Sequence, residues 1–196
     1  MTAQSKKARL EEKKKALEAQ KRRRRWIIFG GLGIFASGLL VYSLTRPEPE
    51  ELAATEVFAD LGGGHLQQGD PTPAYNSSPA TSGPHLPSPA SCGIYTEELD
   101  DVLVVHNLEH GTVVVQYQPE IPAADLAALH NFARAAGTHI LIAPRADLPA
   151  PVVITAWTRM LKMDSLDLDT LQVFYDRWAR IGPEMGVQCP FQIDQA

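Results

Sequence analysis

The sequence predicts an α+β protein: a single N-terminal transmembrane helix followed by a two-layer α+β sandwich bearing a long Pro/Gly-rich loop. Three observations predict it. Residues 26–44, "WIIFGGLGIFASGLLVYSL", contain no charged side chain. Between residues 102 and 182, β-branched runs alternate with segments of helical apolar spacing. Residues 61–94 have neither period, and Gly, Pro, Ser and Thr dominate them.

The uncharged run of 19 residues would make roughly 28 Å of helix at about 1.5 Å per residue, close to the hydrocarbon thickness of a bilayer. Trp26 and Tyr42 fall near its two ends, where amphipathic rings are favoured. Residues 1–25 carry eleven Lys or Arg against three Glu, a net charge of +8, whereas from Arg46 onward seven basic residues face twenty acidic ones, a net of −13. The positive-inside rule therefore predicts a basic cytoplasmic segment (1–25), a transmembrane helix (26–44), a linker (45–60) and an exported α+β domain (61–196). The expected location is the cell membrane, crossed once, with the carboxy-terminal domain periplasmic or extracellular. A cleaved signal peptide is the rival, but the run exceeds the roughly 7–15 residues of a signal core. The basic segment would lie against anionic lipid, so the bilayer is an expected partner. The acidic remainder excludes nucleic acid and favours cations; a protein partner in the envelope stays open.

In the exported part, "VLVVH" (102–106) and "TVVVQY" (112–117) read as neighbouring strands. Residues 122–136 have helical spacing, with Gly137 as a stop, and "HILIAP" is a third strand. "PVVITAWTRMLKM" reads as a long strand or a strand entering a helix; residues 168–182 form a second helix ended by Gly182. The order is ββαββα, with the helices on one face of a mainly antiparallel sheet. Phe174, Trp157 and Trp178 read as core. Outside the cell, Cys92 and Cys189, the only cysteines, are expected to be bridged, with soft-metal ligation the rival.

Four of the six histidines, His65, His85, His106 and His110, fall within 46 residues. Imidazoles so clustered suit a transition metal, copper or zinc. His106, Glu109 and His110 also spell H-x-x-E-H, a zinc-peptidase pattern that requires both histidines on one helix, with a distant carboxylate completing the site. The flanking valines and the immediate Gly111 speak for a strand–turn–strand corner instead, with Glu109 orienting an imidazole or ligating directly. If the protein is an enzyme, Glu109 is the candidate catalytic base and Glu184 the carboxylate to examine first. Met160 and Met163 could be copper(I) ligands but read better as packing residues. His130 and His139 read as structural.

The blocks "AYNSSPATSGPH", "CGIY", "VHNLEHGTVVVQY" and "PAPVVITAW" together resemble the bacterial family called domain of unknown function 3105, from about His65 to Cys189. The resemblance implies a single-span protein with its domain outside the membrane, and shared motifs that include His65, His85, His106 and His110. It implies no activity. The function expected is metal binding by an extracytoplasmic domain. The alternatives are a metal-dependent envelope hydrolase and a partner-binding module whose histidines are structural.

Overall fold

The computed structural model describes residues 49–67 and 69–195, together with Lys21, Trp26, Phe29 and Ser37. Almost all of the expected basic segment and transmembrane helix lies outside the described residues, and no helix among the described residues is long and apolar enough to cross a membrane. Residues 49–196 form one compact unit.

That unit is a mixed α+β domain built on one seven-stranded sheet. A 3-10 turn, Glu50–Leu52, is followed by β1 (Glu56–Val57), β2 (Cys92–Ile94), α1 (Asp101–Glu109), β3 (Val113–Tyr117), α2 (Ala123–Ala136), β4 (Ile140–Pro144), β5 (Val152–Ala156), β6 (Arg159–Met163), α3 (Leu168–Trp178) and β7 (Phe191–Asp194). The strand order is β1-β6-β5-β3-β4-β2-β7. Strands β3, β4, β2 and β7 run parallel, whereas β5, β6 and β1 complete the sheet antiparallel.

Several expectations change here. "VLVVH" is not a strand but most of helix α1, so the ββαββα order does not hold. Val104, Val105 and Leu108 are all buried in this helix, and its surroundings override the β-preference of valine. The sheet is mixed, because helical connections return the chain in parallel. "PVVITAWTRMLKM" is a hairpin, turning at Trp157 and at Thr158 with φ +59°. Helix α3 ends at Trp178, before Gly182. Residues 49–60 of the expected linker fold with the domain: Leu52 is in the core, and β1 pairs with β6.

The sheet is covered on both faces, so the layers number three rather than two. Val113, Val115, Tyr117, Ile140, Ile142 and Ile154 meet α2 and α3 through Leu129, Ala133, Leu171 and Phe174. The alternate residues Val114, Leu141 and Ala143 meet α1 through Val104 and Leu108. Period-two alternation puts successive side chains on opposite faces, and each fully buried aliphatic contributes about 1.5–3 kcal/mol. The Asp167 side chain caps α3 by accepting from the backbone N–H groups of Asp169 and Thr170. Cys92 and Cys189 are joined by a disulfide, so they are not metal ligands.

Candidate metal centre

Helix α1 carries the centre, and its two ends are held by different means. At the start, the Arg145 guanidinium donates to Asp101 at 2.6 Å and to Asp147 at 2.7 Å. These bonds hold the Asp147 carboxyl below its ordinary range. At the end, the N–H of Thr112 bonds the carbonyl of Asn107 and that of Gly111 bonds Leu108, both at 2.9 Å. This paired pattern requires a left-handed residue, which Gly111 supplies with φ +77°. The glycine therefore ends the helix at His110 without moving that residue off the face it shares with His106, one turn earlier. The strand–turn–strand corner expected here is a helix carboxy-terminus, the local setting that H-x-x-E-H demands.

The described residues of the 61–91 loop lie over α1, where the Leu86 N–H bonds the Val102 carbonyl. Asn107 clamps it: the side-chain amide donates to the Ala90 carbonyl at 2.8 Å and its oxygen accepts from the Ala90 N–H at 3.0 Å. Within the loop, His65 and His85 pair as a parallel bridge through Leu66 N–H to His85 O and His85 N–H to Gly64 O. These contacts deliver both imidazoles to α1. Ring centroids lie 5.2 Å apart for His65–His85, 5.1 Å for His65–His106, 4.8 Å for His85–His106 and 4.5 Å for His106–His110. All four predicted histidines are thus brought together, as is Glu109.

The tautomers follow from the hydrogen bonds. His85 Nδ1–H donates to the Gly83 carbonyl at 2.8 Å, and His106 Nδ1–H donates to the Leu86 carbonyl at 2.7 Å. Each ring then turns its Nε2 inward. His106 Nε2 lies 3.0 Å from His110 Nε2, and His85 Nε2 lies 3.1 Å from Glu109 Oε2. Both atoms of the second pair are buried without a hydrogen-bond partner. A proton on His85 Nε2, which makes the two an ion pair, or a metal ion held between them satisfies both atoms. Burial pushes the His106 imidazole below its ordinary pKa, reinforced by His110, His85 and His65 and opposed by the Leu86 carbonyl. Neutral imidazole is the metal-binding form.

Glu184 joins from the segment after α3. Its N–H caps the Glu109 carbonyl at 3.1 Å, Arg180 N–H bonds Gly111 O at 2.7 Å, and its carboxylate lies 3.2 Å from His110 Nε2. Two groups of four residues have donor atoms mutually within 4.8 Å: His65, His85, His106 and Glu109, and then His106, Glu109, His110 and Glu184. Tetrahedral donors about 2.0–2.1 Å from one ion lie roughly 3.4 Å apart, so either group can close around a metal. His65 and Glu184 are exposed, and a cleft of about 480 Å³, lined by His65, Leu66, Asp70, Pro71 and Pro73, adjoins the histidine side.

Sequence reasoning missed Asn107, which lies between the two motif histidines, and Gly63. A Cβ on Gly63 would overlap Glu109 Oε1. No local signal marks either residue, since each acts across the fold. Met160 and Met163 pack in the two cores, and His139 bonds Thr138 and the Val187 carbonyl, a structural role.

No characterised protein and no solved structure matches the chain at a significant level. Residues 65–190, which contain the four histidines, Glu109, Glu184 and both cysteines, match the family described as protein of unknown function DUF3105, and the chain belongs to that family.

Proposed function

We propose that this chain is a membrane-anchored protein whose domain, facing away from the cytoplasm, binds zinc or copper(II) through His65, His85, His106 and His110 with the carboxylates of Glu109 and Glu184. The single observation that carries this reading is the convergence of six His and Glu side chains into two groups whose ligand atoms lie within 4.8 Å of one another. Carbonyls that fix the Nδ1 tautomer are the usual support of metal-bound histidine. The donors are nitrogen and oxygen, with no thiolate or thioether among them, which favours zinc or copper(II) over copper(I). A negative domain on a single span would concentrate cations near the centre.

Elemental analysis of the full-length chain, purified without a polyhistidine tag, tests the reading. Stoichiometric zinc or copper is expected, and ligand saturated at about 100 times its Kd should raise stability by about 2.7 kcal/mol. His106→Ala with His110→Ala should abolish that rise. Metal-free protein whose melting is indifferent to either ion, in the wild type as in the double variant, sinks it.

Metal-dependent hydrolysis is the second reading. It is favoured by one specific observation: H-x-x-E-H stands at the end of a helix with the carboxylate of the exposed Glu184 against its second histidine. A bound divalent ion would supply Lewis acidity and an acidified water. This chain would supply the base Glu109, provided one of its oxygens faces that water.

A further inference from the structure

We propose that the centre holds two divalent ions, bridged by the Glu109 carboxylate: one taken by His65 and His85, the other by His106, His110 and Glu184. The inference rests on the metal-binding reading above and goes beyond it in the number and arrangement of the ions.

Six donor residues converge, and they fall into two groups that overlap only in His106 and Glu109. A tetrahedral ion takes four donors, so one such ion leaves two of the six unused. The two shared residues differ in what they can share. His106 has committed Nδ1 to the Leu86 carbonyl and has one nitrogen left, which serves one ion. Glu109 has two carboxylate oxygens and can serve two.

The short donor contacts sort the same way. His106 Nε2 and His110 Nε2 are 3.0 Å apart, and His110 Nε2 lies 3.2 Å from Glu184 Oε2. With ligand bonds of about 2.0–2.1 Å, nitrogens at that separation subtend roughly a right angle at a common ion. The other contact, His85 Nε2 to Glu109 Oε2 at 3.1 Å, is a separate ligand pair of the same kind, with the His65 ring 5.2 Å from that of His85. One ion at the second pair leaves His106, His110 and Glu184 as a donor set of their own. The shared bridge gives paired ions a separation of roughly 3.5–4 Å, the spacing of two-metal hydrolytic centres.

The helix terminus explains how a single motif can serve both ions. His106 and His110 share one face, while Glu109, one residue earlier than His110, leans toward the loop that carries His65 and His85. Gly63 lies directly against Glu109 Oε1, where any Cβ would overlap it, so the loop backbone fixes how the carboxylate is turned.

The full-length chain, stripped by chelator, is titrated with copper(II) and followed by calorimetry and electron paramagnetic resonance. Two equivalents are expected, the second abolishing the isolated-ion spectrum through dipolar coupling. Glu184→Gln and His65→Ala alter exposed residues outside the core, and each should weaken one equivalent at least about tenfold while restoring the isolated-ion spectrum. Circular dichroism confirms their fold. Saturation of the wild type at one equivalent, with an isolated-ion spectrum, overturns this inference alone. No uptake at all overturns it together with the metal-binding reading.

Discussion

The two faces of the sheet are built from the same strands and are used differently. Toward α2 and α3 the alternate residues of β3, β4 and β5 meet Leu129, Leu171 and Phe174, all apolar. Toward α1 the apolar clusters are small, and His85, His106, Asn107, Glu109 and Thr112 are buried on or around the same helix. Apolar burial is the main favourable term in folding, whereas each buried polar group must first recover the water it loses. Asn107 recovers it through Ala90, while His85 Nε2 and Glu109 Oε2 have only each other, at 3.1 Å. One face therefore supplies stability that the other can leave unspent at the centre.

The strongest way to break that division is on the apolar face. Phe174→Ala empties a fully buried site beneath α3 and should cost about 3–5 kcal/mol. Urea denaturation gives the loss, and metal uptake per folded molecule should stay that of the wild type. A variant that folds but no longer takes up metal would show that the two faces are coupled.

The apolar face was also the legible one. Unbroken apolar runs locate β3 and β4, which are buried on both faces, and helical spacing locates α2, whose burial is one-sided. Helix α1 was misread for a physical reason: buried on several sides, it carries valines where an amphipathic helix would alternate with polar residues, so its period vanishes. The brief strands β1, β2 and β7 give too few residues for any period, and β2 includes a glycine whose Cβ would overlap the Ile193 carbonyl. The centre was half legible. Histidine is scarce enough that four within 46 residues stand out, and the H-x-x-E-H spacing pointed to Glu184. Gly111 misled because a helix-ending glycine and a strand-turn glycine look alike until the bonds of Thr112 and Gly111 are seen.

The disulfide sharpens the comparison at the sheet edge. It closes 97 residues between β2 and the segment that follows Glu184. Cys92→Ser with Cys189→Ser should cost about 2–4 kcal/mol, read as the difference in denaturation free energy between oxidised wild type and variant. Glu184 remains tied through its N–H to Glu109, so copper or zinc should still bind. Loss of binding with full retention of stability would place the bridge in the service of the polar face instead.

Gly63→Ala should change stability least and binding most. Gly63 does not occupy the left-handed region, so alanine meets no backbone strain and, by restricting the unfolded chain, contributes about 0.4–1 kcal/mol toward stability. Against that, the new Cβ would overlap Glu109 Oε1, and Glu109 is buried, so the carboxylate must turn or the loop must lift. The two terms nearly cancel in the melting temperature. They do not cancel at the centre, where displacing a carboxylate from its donors should weaken metal affinity by about 10–100-fold. Calorimetric titration beside a thermal melt separates the outcomes. Weak binding with an unmoved melt means that this face is fitted to its ion, whereas a large drop in melting temperature with unchanged affinity would make Gly63 a packing residue and return Glu109 to the fold.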